Sequence, residues 1–379
     1  MKRLYRILQI ALVASITLAA APAVLAQQPN PLALEQQGRI PEAIEAWKSV
    51  VTADPENAQA LAHLGLLESR QEQYADAIDH YQKALALKPD LPGLQLNLGL
   101  ALFKATRFPE AIPVFTAEMH QHPGDQRLTI LLGMSHYGMG DYLVAVPYLQ
   151  RAAANDPQNL PLRMTLAHSC MWSKQYQCVL DVEKEILTLN PDSAEADILA
   201  GEALDQQGDD VGATEQFRAA AKANPKEPNV HFGLGYLLWK QSKFAEAAVK
   251  FQAELDNDAG NAQARAYLGD AYVELTQYDK AEPELTKAIE ANATSEMAHR
   301  DLGIVYASTG RNAAALKELQ QAIELDSQDI APHWRLARLY QAMGKKDEAK
   351  AEFAISSKMH QQANQALTDK MSGPPPTQP

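Results

Sequence analysis

The sequence contains no stretch of strand-like alternation, so it offers no sheet on which an active site could be built. It lacks a Gly-rich phosphate loop, an HExxH pair and a GxSxG elbow. Positive charge is in short supply: 34 Lys and Arg face 47 Asp and Glu, a formal charge of −13. So acidic a chain repels phosphate backbones and anionic lipid, which argues against nucleic acid as a partner. Cysteine is scarce as well, with Cys170 and Cys178 the only two. Neither lies near the N-terminus, which excludes a lipid-modified leader there.

Residues 1–26 carry Lys2, Arg3 and Arg6 ahead of an Ala-rich apolar run that ends Val24-Leu25-Ala26. This is the layout of a signal peptide with small residues at the cleavage site. The competing reading is an uncleaved anchor, because Ile7 to Ala26 is about long enough to span a bilayer. Cleavage is expected, giving an exported, periplasmic or secreted chain that starts at Gln27, has a formal charge of −16 and needs no membrane. At the other end, residues 372–379 ("SGPPPTQP") cannot pack and are expected to be disordered.

Between these ends runs a strict period. Gly65, Gly99, Gly133, Gly201, Gly235, Gly269 and Gly303 lie on one ladder of spacing 34, with Ala167 and Ala337 on the two remaining rungs. Pro55, Pro89, Pro123, Pro157, Pro191 and Pro225 form a second ladder, and Ala43 to Ala349 a third. Let slot 1 fall on Ala58 and on every thirty-fourth residue from it, the unit starting at Ala58 being repeat two. Slots 8 and 20 are then small, so two helices approach closely, and the proline at slot 32 ends the second helix. Each unit reads as a helical hairpin, with helix A at about slots 1–14 and helix B at about slots 18–31.

Repeat two carries Leu61, Leu64, Gly65, Tyr74, Ala77, Tyr81, Ala84 and Pro89, and in these positions it resembles the tetratricopeptide repeat family. The resemblance implies an all-α, right-handed superhelical solenoid that binds a protein or peptide in the groove lined by its A helices. It implies a degenerate leading repeat over 27–57, nine repeats over 58–356 and a capping helix over 357–371. Polar residues at slot 4 (Arg163, Asp197, His231, His299 and His333) depart from the family's large apolar residue.

No catalytic constellation accompanies the repeats, so no enzyme, no cofactor and no metal is expected. Met134, Met164, His168 and Met171 would suit Cu(I), and His120 with His122 is a weak metal pair, but packing or binding surface explains both better.

Slots 3, 7, 10, 11 and 14 form the packing face of helix A, and slots 5, 9 and 12 point the other way. An ordinary amphipathic helix is polar there. Here repeat three has Leu96, Leu100 and Phe103, and repeat four has Ile130, Met134 and Tyr137. Repeat five has Met164, His168 and Met171, with Trp172 beside them. Repeat six has Ile198, Glu202 and Asp205, and repeat seven has Phe232, Tyr236 and Trp239. Either neighbouring A helices cover these side chains, or they form a groove in repeats three to seven for an apolar, partly basic segment, with Glu202 and Asp205 as an acidic step. A cell-envelope scaffold is the favoured function, and a holdase for unfolded segments is its rival. In an antiparallel hairpin, Cys170 at slot 11 and Cys178 at slot 19 come side by side. A disulfide is therefore expected in an oxidising compartment, against the alternative of two buried thiols.

Overall fold

The computed structural model describes residues 30–372, so the expected signal segment and most of the expected disordered tail lie outside the described residues. All regular structure among the described residues is helical, in twenty helices. They fall into two compact units divided at His122. The first unit holds α1 (Pro31–Gln36), α2 (Ile40–Ala53), α3 (Ala58–Arg70), α4 (Tyr74–Leu87), α5 (Leu94–Lys104) and α6 (Phe108–Gln121). The second begins with α7 (Gln126–Met139), α8 (Tyr142–Asn155), α9 (Leu160–Trp172), α10 (Tyr176–Leu189), α11 (Ala194–Gln206), α12 (Asp210–Ala223) and α13 (Val230–Lys240). It continues with α14 (Phe244–Asn257), α15 (Ala262–Glu274), α16 (Tyr278–Ala291), α17 (Glu296–Ser308), α18 (Asn312–Leu325), α19 (Ile330–Ala342) and α20 (Lys346–Ser372). Within each unit every helix packs on the next, which is the α-solenoid that the 34-residue period predicts. The last helix runs unbroken through 357–371, so the stretch expected as a separate cap is a continuation of the final helix B.

The glycine ladder has a single physical cause. Slot 8 of helix A lies against slot 24 of helix B, where most repeats carry a large apolar side chain. A Cβ on Gly65 would meet the Tyr81 ring at 2.9 Å, on Gly99 the Phe115 ring at 2.6 Å, and on Gly235 the Phe251 ring at 2.7 Å. All three rings are almost completely buried. In repeat five, where slot 24 is Glu183 rather than a ring, the ladder holds Ala167.

Two further periodic devices set where the helices begin and turn. At slot 34, Asn57, Asp125, Asn159, Asn261, Ser295 and Asp329 each accept a backbone N–H from the helix that follows, a side-chain cap repeated along the array. At slot 15, in the turn from A to B, the backbone is left-handed in every repeat. Gly38, Gly140, Gly208, Gly310 and Gly344 occupy it without strain, but so do Glu72, Thr106, Lys174, Ser242 and Thr276, at φ of 57–60°.

The polar residues at slot 4 are ties between helices. Arg265 Nη1 donates to Glu284 at 2.6 Å and its Nη2 to the Ala259 carbonyl at 2.7 Å. His299 Nδ1 meets Glu318 at 2.6 Å, and its Nε2 lies 3.3 Å from the Ala293 carbonyl. His333 meets Glu352 at 2.7 Å, and Arg163 Nε donates to Glu185 at 3.0 Å. Each side chain thus joins its own helix B, and three of the four also hold the end of the preceding repeat. Asp197 and His231 at the same slot make no such tie.

Candidate site on the A-helix face of the second unit

Ser193 of repeat six stands at slot 34 without a cap bond, and repeats three and seven lose the capping residue itself. Their slot-34 residues are Leu91 and Glu227, and a proline, Pro92 or Pro228, follows at slot 1. Helices α5 and α13 therefore start two residues late, from Gly93 and Asn229 in the left-handed conformation, and are 11 residues long rather than 13 or 14. The exposed N–H groups of α13 are met from helix B of the same repeat. The fully buried carboxylate of Glu254 accepts from Asn229 N at 2.7 Å and from His231 N and Phe232 N at 3.1 Å. A buried anion at a helix N-terminus satisfies three donors that would otherwise be orphaned.

With α13 held there, α9, α11, α13 and α15 enclose a pocket of about 400 Å³. Its wall is Met171, Phe232, Tyr236 and Tyr267, and its floor is Phe217 from helix B of repeat six. Phe217 lies between two glycines. A Cβ on Gly201 would meet its ring at 3.0 Å, and one on Gly233, at slot 6 and off the 34-residue ladder, at 2.2 Å. Glu202, Asp205, Gln206, Asn229 and Gln263 supply the polar rim.

The predicted groove residues divide between the two readings. Met171, Glu202, Asp205, Phe232 and Tyr236 come together in the pocket. Trp172 is 50% exposed, stacked on His168 at 5.1 Å and leaning on Tyr142 at 4.7 Å and Tyr137 at 5.8 Å. Ile130, Met134 and Met164 are half-buried against the repeat-five core. Ile198 is buried outright, in the core shared by repeats six and seven. Leu96, Leu100 and Phe103 belong to the first unit. There Phe103 packs edge-on to Phe108 at 5.5 Å, and the pocket is built without them.

Trp239 is internal packing. Its ring meets Tyr267 edge-to-face at 5.1 Å and stacks on Tyr236 at 6.1 Å, and its Nε1 donates to the buried Asp270. Beyond it the face is closed by charge. Arg300 donates to Asp301 at 2.8 Å and Asp270 at 3.3 Å, and lies 3.8 Å from Asp329 and 3.9 Å from Glu296. Four carboxylates share one guanidinium. Burial pushes Asp301 well above the usual carboxylate range and Glu296 to about 7.

The acidic step is also divided. Lys240 Nζ sits 2.6 Å from Asp205 and 2.7 Å from Asp210, so Asp205 is already paired within the chain. Glu202 has no hydrogen bond or ion pair among the described residues. Burial raises its carboxyl above the ordinary value, the nearby His168 opposes that and the Asp205 charge adds to it. At the edge of this face Cys170 and Cys178 are joined, with Cα atoms 5.8 Å apart, pinning the start of α10 to the end of α9. No cluster of three metal-ligating side chains occurs among the described residues, and no helix among them is long and apolar enough to cross a membrane.

Sequence reasoning did not reach Phe217, Gly233, Asn229 or Tyr267. Of these, Gly233 and the Pro228-Asn229 pair left a signal, as departures from the periodic pattern.

Comparison with known proteins agrees with the architecture. A family model described as "Tetratricopeptide repeat" matches residues 32–92, 96–159, 183–228, 212–262 and 267–330, and a second of the same description matches 306–368. The BBSome complex member BBS4 of Bos taurus is 24% identical over 216 residues, covering 57% of this chain and 42% of its own length. The protein CTR9 homolog of Arabidopsis thaliana is 22% identical over 263 residues, covering 66% of this chain and 24% of its own. The chain thus spans less than half the length of these curated relatives. Among solved structures, the APC/C hetero-tetramer Cut9-Hcn1 superposes with a TM-score of 0.51 at 16% identity, over 82% of this chain and 74% of that one. With the repeat model matched along most of its length and its helices paired in that repeat's fashion, the chain belongs to the tetratricopeptide repeat family.

Proposed function

We propose that the chain is a non-enzymatic scaffold that holds an apolar, partly basic segment of another protein against the A helices of repeats five to eight. The pocket walled by Met171, Phe232, Tyr236 and Tyr267 carries this reading. Aromatic and thioether side chains left part-exposed beside an open pocket are the usual material of a binding hot spot. The relative BBS4 is itself named as a complex member, which is in keeping with a role in assembly. Relative to the expected span of repeats three to seven, this region gains repeat eight and omits repeats three and four.

The test is crosslinking capture of partners by wild type and by Tyr236→Ala and Phe232→Ala. Loss of the captured protein with the helical signal intact supports the groove, and unchanged capture by both variants rejects it. Equal displacement of that partner by unrelated unfolded peptides would make the chain a holdase instead.

We further propose export to an oxidising compartment, on the charge pattern of residues 1–26 and the joined cysteines. The intact mass of native protein should then begin at Gln27, and a mass that retains residues 1–26 would refute it.

A further inference from the structure

Most charged groups around the pocket have a partner within the chain. Asp205 is held by Lys240, and His168 Nε2 lies 2.8 Å from Glu195. Glu202 is the exception. Its carboxylate lines the pocket beside Met171, Phe232, Tyr236 and Tyr267 without a hydrogen bond or ion pair from any described residue. An unpaired carboxylate that has lost part of its water is costly to keep charged, and an incoming cation would relieve that cost. The surrounding rings present faces that attract a cation and cover an alkyl stem. The chain shows the same chemistry close by: Lys240 Nζ sits 5.9 Å from the centre of the Tyr236 ring while paired with Asp205.

We propose that the pocket is a seat for a single lysine or arginine side chain of the bound segment. Its charge would rest on Glu202 and its stem on Phe232, Tyr236, Tyr267 and Met171. This rests on the groove reading above and adds to it the residue class that fixes the register of the bound segment. A site built around one carboxylate rejects an uncharged isostere, because Glu202 would then be covered and unpaired.

The probes are capped pentapeptides with Phe-Leu before and Leu-Phe after a central lysine, arginine, norleucine or glutamate, titrated into the full chain by calorimetry. The lysine or arginine peptide should bind at least tenfold tighter than the norleucine peptide, and the glutamate peptide weakest. Glu202→Gln should reduce that preference to about twofold, by weakening the lysine and arginine peptides and easing the penalty on norleucine. Glu202 makes no hydrogen bond or ion pair with any described residue, so this variant should keep its helical signal and melting point. If norleucine binds wild type as tightly as lysine, or Glu202→Gln keeps the tenfold preference, the seat is refuted and the groove survives. If no peptide binds, or binding ignores Phe232→Ala and Tyr236→Ala, the groove reading fails and the seat fails with it.

Discussion

Replacing Trp239 with alanine separates packing from binding on the A-helix face. From its sequence position the ring could have faced an open groove, and its loss would then have cost little stability. In the structure it has three partners instead: Tyr267 edge-to-face, Tyr236 in parallel, and Asp270 as acceptor for its Nε1. Truncating a buried tryptophan costs about 3–5 kcal/mol, and Trp239 is only part-buried, so the cavity contribution belongs at or below the lower end. The aromatic contacts are worth about 0.5–1.5 kcal/mol beyond burial. The lost hydrogen bond adds about 1 kcal/mol, since Asp270 keeps Arg300 as a donor. These contributions overlap, and about 3 kcal/mol is the expected loss. Trp172→Ala is the internal control. That ring is half-exposed and should cost about 1 kcal/mol or less. Repeat arrays do not unfold strictly as one unit, so urea denaturation should be paired with amide hydrogen exchange read over α13 to α15. The variant should lose protection there first. Unchanged protection and a shift below about 0.5 kcal/mol would show that the Trp239 contacts are dispensable, and the division between packing and site would be wrong.

Glu254→Ala strands three backbone donors at the start of α13 and should cost about 2–4 kcal/mol, with exchange rising at Asn229 to Phe232; retention of wild-type protection would refute the capping role. Thr276→Gly places glycine at a left-handed turn residue with φ of 57° and should stabilise by about 1 kcal/mol, whereas the same change at Thr52 inside helix α2 should destabilise by a similar amount; urea midpoints of the two variants check the sign. Asp197 is buried, and burial raises its carboxyl to about 6. The folded chain therefore keeps a proton there that the unfolded chain has already lost, so this group's contribution to stability falls as pH rises from about 4 to about 6. Asp197→Asn should be more stable than wild type at pH 7.5, by on the order of 1–3 kcal/mol, with the gap closing towards pH 4; a gap independent of pH would refute the assignment.

The fold was legible because its strongest signals are steric and repeat without insertion. Glycine at slot 8 makes room for the large side chain at slot 24 in seven repeats, and proline at slot 32 stops helix B at six junctions. Each demand therefore prints a residue at the same place in the period. The turn at slot 15 makes an equally strict demand on the backbone and was missed. Glu72, Thr106, Lys174, Ser242 and Thr276 accept the left-handed conformation at a cost of roughly 1 kcal/mol that the rest of the repeat can absorb. A rule that is broken cheaply leaves only half a ladder. The slot-4 residues were legible as a recurrence but not as a mechanism, because their partners lie on helix B, 19 residues away for Arg265, His299 and His333 and 22 away for Arg163, beyond the reach of a pattern read along one helix.

The site is harder to read because it is built where the period fails. Slots 5, 9 and 12 share one face of helix A, yet the same slots give a buried core residue in Ile198, a pocket wall in Tyr236 and an inter-repeat strut in Trp239. What separates them is the local spacing of the A helices, and that is set by irregular residues. Pro228 delays α13, Asn229 supplies the left-handed start, Glu254 holds the shortened helix in place, and Gly233 admits Phe217 beneath it. None of these four helps build a regular repeat, and each alone would weaken one. A helix that loses its cap and two residues of its first turn needs compensation, and a buried carboxylate is an expensive form of it. The pocket of about 400 Å³ has Asn229, Phe232 and Gly233 of this shortened helix in its lining. In a chain that otherwise keeps its period without insertion for some three hundred residues, these paired departures coincide with the pocket on which the proposed function rests.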